Sequence, residues 1–127
     1  MILKVCGITN QGDASAAIDA GATAIGFNFY AKSPRYVRPE TAGAISTPGA
    51  LRVGVFVNEA PERIEEIARL ALLDVAQLHG DEGAADFPQL LGLLEEQAYR
   101  GYFTIEREQA RDPMFEISQA VKYLRDF

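Results

Sequence analysis

Short apolar runs alternating with helix-patterned segments predict an α/β fold of five βα units around a parallel sheet. Three observations carry this reading. The apolar runs are near-continuous, as in strands covered on both faces. The segments between them repeat apolar residues at three- and four-residue spacing, which marks one face of a helix. Prolines 39, 61 and 113 stand where helices should begin, and proline suits the first helical turn. Alternating units of this kind give parallel strands joined by right-handed crossovers.

The elements follow in order. Ile2–Val5 reads as the first strand and Asp13–Ala20 as a helix closed by Gly21. Ala24–Phe29 is the second strand, and Pro39–Ile45 a short helix. Val53–Val57 is the third strand. A helix begins near Pro61 and places Ile64, Ile67, Ala68 and Ala71 on one face. Val75–Leu78 is the fourth strand, Pro88–Gln97 a leucine-rich helix, and Tyr102–Ile105 the fifth strand. Asp112 offers an N-cap with Pro113 behind it. The last helix then stacks Met114, Ile117, Val121 and Leu124.

At 127 residues the chain is expected to be a single domain, residues 1–127, large enough for a core without disulfides. Its composition, 48% hydrophobic and 24% charged, is that of a globular protein. The net charge of −6 argues against nucleic acid and against anionic membrane surfaces as partners. One cysteine makes no internal disulfide, which points to a reducing cytoplasm. No signal peptide is expected, and no stretch reaches the roughly 18 apolar residues of a membrane span.

Three segments stand out at strand ends: Leu-Lys-Val-Cys-Gly-Ile-Thr at residues 3–9, Gly-Phe-Asn-Phe-Tyr-Ala-Lys-Ser-Pro-Arg-Tyr-Val at 26–37, and Gln-Leu-His-Gly-Asp-Glu at 77–82. A cysteine at the end of a first strand is either a buried structural thiol or a reactive one. Taken together, the three segments resemble the N-terminal half of phosphoribosylanthranilate isomerase, a (β/α)8 (TIM) barrel enzyme of tryptophan biosynthesis. The resemblance implies a partial barrel, since a complete one takes about 250 residues. It implies that Cys6 is the general base of an Amadori rearrangement and that Arg35 holds the anthranilate carboxylate. Arginine suits that task because its planar fork matches a carboxylate. Gln77 and His79 alternate along the fourth strand and would line the substrate site. No cofactor is implied. An anthranilate or phosphosugar is the small-molecule ligand to expect.

Residues 86–127 resemble a different group, the closing βα unit of the sugar phosphate isomerase/epimerase superfamily. Asp86-Phe87-Pro88 and the run Tyr99-Arg100-Gly101-Tyr102-Phe103-Thr104-Ile105-Glu106-Arg107-Glu108 carry that likeness. The chain therefore reads as a chimera, 1–82 joined to about 86–127 through the seam Gly83-Ala84-Ala85. In that second group a glutamate at the position of Glu106 ligates a divalent metal. Two carboxylates, Glu106 and Glu108, bind such a cation weakly, so no metal is expected.

The isomerase's general acid, an aspartate beyond the fifth strand, has no counterpart here. The last strand is followed by Glu106-Arg107-Glu108-Gln109-Ala110-Arg111-Asp112, a loop without the glycines of a phosphate cradle. The main expectation is thus a half-barrel with little or no turnover. The alternative is an active isomerase whose composite site forms in a homo-oligomer, with Asp81 or Glu106 delivered to Cys6. A metal-dependent sugar isomerase remnant is a third reading. Five strands with helices on one side would expose a Val/Ile/Phe-rich inner face and two edges, which predicts a homodimer. A flavodoxin-like doubly wound sheet of order 2-1-3-4-5 is the alternative architecture.

Overall fold

The computed structural model describes residues 1–80 and 102–105. Asn10 starts the first helix. Its Oδ1 accepts a hydrogen bond from the Asp13 N–H at 2.8 Å, while its Nδ2 donates to Asp13 Oδ2 at 2.9 Å. This satisfies one of the N–H groups that a helix start leaves without a partner. The cap sets the start of α1 (Gln11–Asp19) two residues before the expected Asp13. At its other end the Gly21 N–H reaches Ile18 O at 2.9 Å and the Ala22 N–H reaches Ala17 O at 3.0 Å. That Schellman turn needs a left-handed residue, and Gly21 provides it at φ +101°. The helices α2 (Pro39–Ala44) and α3 (Pro61–Leu70) both open on proline, as the sequence predicts. α3 also ends in a Schellman turn, with Leu73 N–H on Ala68 O at 2.9 Å, but its left-handed residue is Leu72 at φ 55°.

The strands are β1 (Lys4–Val5), β2 (Ala24–Asn28), β3 (Leu51–Phe56), β4 (Val75–Leu78) and β5 (Tyr102–Ile105). They form one parallel sheet in the order β1-β2-β3-β4-β5. Consecutive order is that of a barrel wall, and the fold is a partial (β/α)8 barrel. The doubly wound 2-1-3-4-5 order is not adopted. The expected helices over Pro88–Gln97 and after Asp112 lie outside the described residues, as do the seam, Asp81 and Glu106.

Side chains alternate across each strand. Ile25, Phe27, Phe56, Ala76 and Leu78 face the helices and form the main core with Ala14, Ala42, Ile64, Ile67 and Ala71. The opposite positions Ala24, Val53 and Val75 form a second, smaller cluster with Leu51. Phe27 and Phe56 therefore lie on the helix side, and the inner positions Val53, Val55 and Val75 are buried. This corrects the expectation of an exposed Val/Ile/Phe inner face. What is exposed is the β1 edge, with Ile2 at 70%, Leu3 at 46% and Val5 at 37%. Small inner residues let the sheet curl. Lys4 on β1 donates through Nζ to Gln77 Oε1 on β4. Three strand spacings separate those backbones, about 14 Å in a flat sheet, so the contact requires a concave wall.

β3 starts at Leu51 rather than Val53, because Arg52 belongs to it and faces the helices. Its guanidinium donates to Ala42 O at 2.6 Å, Ile45 O at 2.7 Å, Thr47 Oγ1 at 2.9 Å and Ala71 O at 2.9 and 3.1 Å. These acceptors lie at or just past the C-terminal ends of α2 and α3, where helix carbonyls lack intrahelical donors and the dipole is negative. Arg52 also lies 4.9 Å over the Phe27 ring. Burial pushes its pKa down, and Asp74, which accepts the Arg52 N–H at 2.8 Å, opposes that. A side chain at Gly43 would collide with the Leu70 carbonyl, so the two helices meet backbone to backbone.

Candidate active site

Cys6 follows β1 at the C-terminal end of the sheet, where barrel enzymes carry their catalytic groups. The chain turns sharply there. The N–H groups of Gly7 and Ile8 both donate to Gly26 O, at 3.0 and 3.1 Å. Gly7 sits at φ +81°, a conformation that favours glycine. Cys6 is exposed, so it is not a buried structural thiol. Its Sγ lies against Gly26: a Cβ there would come within 2.7 Å of Sγ and 3.0 Å of the Cys6 Cα. Glycine at 26 is what leaves room for the thiol on the concave face.

The loop after β2 folds back beside the strand end. Asn28 Oδ1 accepts the Tyr30 N–H at 2.9 Å, and the Val37 N–H returns to Asn28 O at 3.1 Å. Within it the Tyr36 N–H reaches Ser33 O at 3.1 Å, and Ser33 Oγ accepts the Arg35 N–H at 3.1 Å. The consequence is the position of Arg35. A Cβ on Gly7 would lie 3.4–3.5 Å from Cβ, Cγ and Cδ of Arg35, so the arginine stem rests on the residue next to Cys6. Residues 29 positions apart in sequence thus become neighbours, with the arginine exposed and available to an anion.

Gln77 is 4% exposed and accepts from Lys4. His79 is half-buried just past β4, and its N–H donates to Phe56 O at 2.8 Å. Cys6, Arg35 and His79 therefore all belong to the C-terminal ends of strands, with Gln77 a layer deeper. Glu106 lies outside the described residues. Among the described residues, no group of three or more His, Cys, Asp or Glu could hold a metal ion. Sequence reasoning did not place Lys4 on the concave face; its spacing of two from Cys6, which puts both on one face of the strand, was the available signal.

An exposed thiol beside an exposed arginine offers a candidate base and a candidate anion-binding group at one end of the sheet. The comparisons with known proteins identify the family. Residues 3–110 match the family model of N-(5'-phosphoribosyl)anthranilate (PRA) isomerase, a match that runs through the expected seam at 83–85. The N-(5'-phosphoribosyl)anthranilate isomerase of Solibacter usitatus (strain Ellin6076) is 76% identical over 91 residues, 72% of this chain and 46% of that protein. The enzyme of Rubrobacter xylanophilus is 56% identical over 84 residues, 64% of this chain and 41% of the relative. The chain thus spans less than half the length of these relatives. Among solved structures, monomers generated from the dimeric phosphoribosylanthranilate isomerase of Thermotoga maritima superpose with a TM-score of 0.76 at 37% identity, over 100% of this chain and 61% of that one. A phosphoribosyl anthranilate isomerase bound to reduced 1-(o-carboxyphenylamino)-1-deoxyribulose 5-phosphate gives 0.74 at 38% identity, covering 100% and 62%. By its fold, its strand-end residues and these matches, the chain belongs to the N-(5'-phosphoribosyl)anthranilate isomerase family.

Proposed function

We propose that this chain acts as a phosphoribosylanthranilate isomerase whose site is completed when copies assemble. The observation that carries this is the exposed Cys6 thiol with the Arg35 stem packed on Gly7 at the mouth of a barrel wall. Arg35 binds the anthranilate carboxylate. A carboxylic acid protonates the ribose ring oxygen, and the C1–O bond breaks to leave an iminium on the anthranilate nitrogen. The Cys6 thiolate takes the C2 proton, and the C2–H electrons form a C1=C2 bond while the iminium electrons return to nitrogen. The resulting enol ketonises to the 1-amino-1-deoxyribulose product. Each step conserves atoms and electrons, and no cofactor enters.

Assembly supplies the acid, through Asp81 or Glu106 of a second copy. The exposed apolar residues Ile2, Leu3 and Val5 at the β1 edge support a homodimer, since open edges of this kind invite pairing. Among the described residues no helix is long and apolar enough to cross a membrane. The lone cysteine fits a reducing cytoplasm. The likeness of Tyr99–Glu108 to the sugar phosphate isomerase/epimerase closing unit supports a chimeric origin for the chain beyond about residue 86. A competing reading is a half-barrel with little or no turnover, in which the loop after the last strand lacks the glycines of a phosphate cradle.

Fluorescence-monitored turnover of phosphoribosylanthranilate, run alongside light scattering, separates the two. Turnover in a dimer, lost in Cys6→Ala and weakened through KM in Arg35→Ala, is the expected result. A folded protein that turns over no substrate at any concentration overturns the proposal in favour of the inactive half-barrel.

A further inference from the structure

The inner face of β2 carries Ala24, Gly26 and Asn28, since side chains alternate along a strand and Ala24 belongs to the inner cluster. Gly26 leaves its side-chain space to the Cys6 sulfur. The next inner side chain toward the mouth is Asn28, about 7 Å further along the strand. Asn28 is half-buried, and its amide is held in one orientation. Oδ1 accepts the Tyr30 N–H at 2.9 Å, so Nδ2 is the free end. Among the described residues no oxygen accepts from that Nδ2. The same residue anchors the loop that carries Arg35. Its carbonyl takes the Val37 N–H at 3.1 Å, and Tyr36 forms a bridge beside it. Arg35 is therefore held from two sides, through Tyr36 at Asn28 and through its own stem on Gly7. One end of β2 thus brings an amide donor beside the thiol and the loop of the guanidinium.

We propose that Asn28 is a substrate-binding residue that shares the anthranilate carboxylate with Arg35, its Nδ2 donating to a carboxylate oxygen. This rests on the isomerase reading, which places the carboxylate at Arg35 and the C2 proton at Cys6. Spacing favours the carboxylate over a ribose hydroxyl. The carboxylate carbon stands five covalent bonds from C2, roughly 5–6 Å, whereas the hydroxyl oxygen on C3 is two bonds away and stays beside the sulfur. A donor about 7 Å up the strand from the thiol matches the first. Charge favours it as well, because an N–H donor binds an ionised oxygen more strongly than a neutral one. An arginine fork fills two of the four lone-pair positions of a carboxylate and leaves the others for a second donor.

The test is equilibrium binding, with turnover read separately. Reduced 1-(o-carboxyphenylamino)-1-deoxyribulose 5-phosphate is titrated by its fluorescence into the full chain, Asn28→Asp and Asn28→Ala, with urea unfolding as the folding control. Asn28→Asp still accepts the Tyr30 N–H, so the loop is kept, but a negative charge replaces the donor. It should weaken binding at least about 10-fold with the urea midpoint unchanged. Asn28→Ala loses the loop bond as well, yet should weaken binding only about 3- to 5-fold. A purely structural role reverses that order, and the reversed order overturns the proposal. Equal binding by Asn28→Asp and the parent also overturns it, because a ribose hydroxyl can donate to an aspartate and a carboxylate cannot. The carboxylate-free counterpart, reduced 1-phenylamino-1-deoxyribulose 5-phosphate, should bind the parent and Asn28→Asp within about 2-fold of each other, and a loss as large as that of the first compound is an overturning result. If Asn28→Asp does not fold, Asn28→Ser decides: its shorter side chain still accepts the Tyr30 N–H, it should lose about 3-fold on the carboxylate compound alone, and equal effects on both compounds overturn the proposal. A folded parent that does not bind the carboxylate compound overturns it too. Absence of phosphoribosylanthranilate turnover with this binding pattern intact sinks the isomerase reading alone. Turnover with the same KM in Asn28→Asp as in the parent sinks this proposal alone.

Discussion

Replacing Arg52 with methionine should destabilise the fold by about 3 kcal/mol. Methionine keeps an unbranched stem over Phe27 but removes every donor. Three backbone carbonyls, at Ala42, Ile45 and Ala71, then lose a charged partner at two helix ends. Ala42 O keeps the Ile45 N–H at 3.1 Å, so the unsatisfied acceptors are those of Ile45 and Ala71; leaving a buried acceptor unsatisfied costs about 1–3 kcal/mol, and water at the helix ends returns part of it, so about 1.5 kcal/mol for each of these two is the working figure. Loss of the cation over the Phe27 ring adds about 1 kcal/mol, and the regained side-chain freedom returns a similar amount. A chain this size should unfold in one transition. At an m-value of about 2 kcal/mol/M, the urea midpoint should fall by about 1.5 M with m unchanged. Arg52→Lys keeps the charge and three donors but lacks the fork, and should lose about half as much. A midpoint for Arg52→Met within about 0.3 M of the parent would refute the view that this side chain joins the two helix ends.

Two further substitutions test the site and the turns. Gly26→Ala forces Cys6 off its position, since the new Cβ would stand 2.7 Å from Sγ; turnover should fall by about 100-fold, and a loss under 2-fold in a steady-state assay would show that the thiol has room to spare. Leu72→Gly relieves a left-handed non-glycine residue that is 64% exposed. The relief of about 1–2 kcal/mol is partly offset by the freer unfolded chain, leaving a gain of about 0.5 kcal/mol in denaturant unfolding, and a net loss of stability would contradict this.

Much of this architecture was legible in the sequence. The bounds of β4, Val75–Leu78, agree with its apolar run, because Asp74 and the strand end bracket it on both sides. β1 is shorter than its apolar run suggests, since Ile2 and Leu3 find no strand register on β2. β3 is longer, because a charged residue in a strand reads as a loop until the acceptors at two distant helix ends are known. The helix start at Gln11 was available in Asn10 and Asp13, a reciprocal cap three residues apart. Cys6 and Arg35 were legible only through resemblance, as nothing in their spacing announces that a loop lays one on the residue next to the other. The Lys4–Gln77 contact was not legible at all. It depends on how tightly the sheet curls, which small residues such as Ala24 and Gly26 permit but no local pattern encodes.

The consecutive strand order carries a consequence for biosynthesis. Each strand docks on the one made just before it, so every addition to the growing wall happens at the edge nearest the ribosome. Among the described strands, none has to wait for a partner encoded further downstream than its neighbour, and none slots between two already paired. Loop closures stay short, and topologies dominated by such local pairings form quickly. The emerging chain can therefore consolidate vectorially, with Cys6 in its turn against Gly26 as soon as the second strand has cleared the exit tunnel.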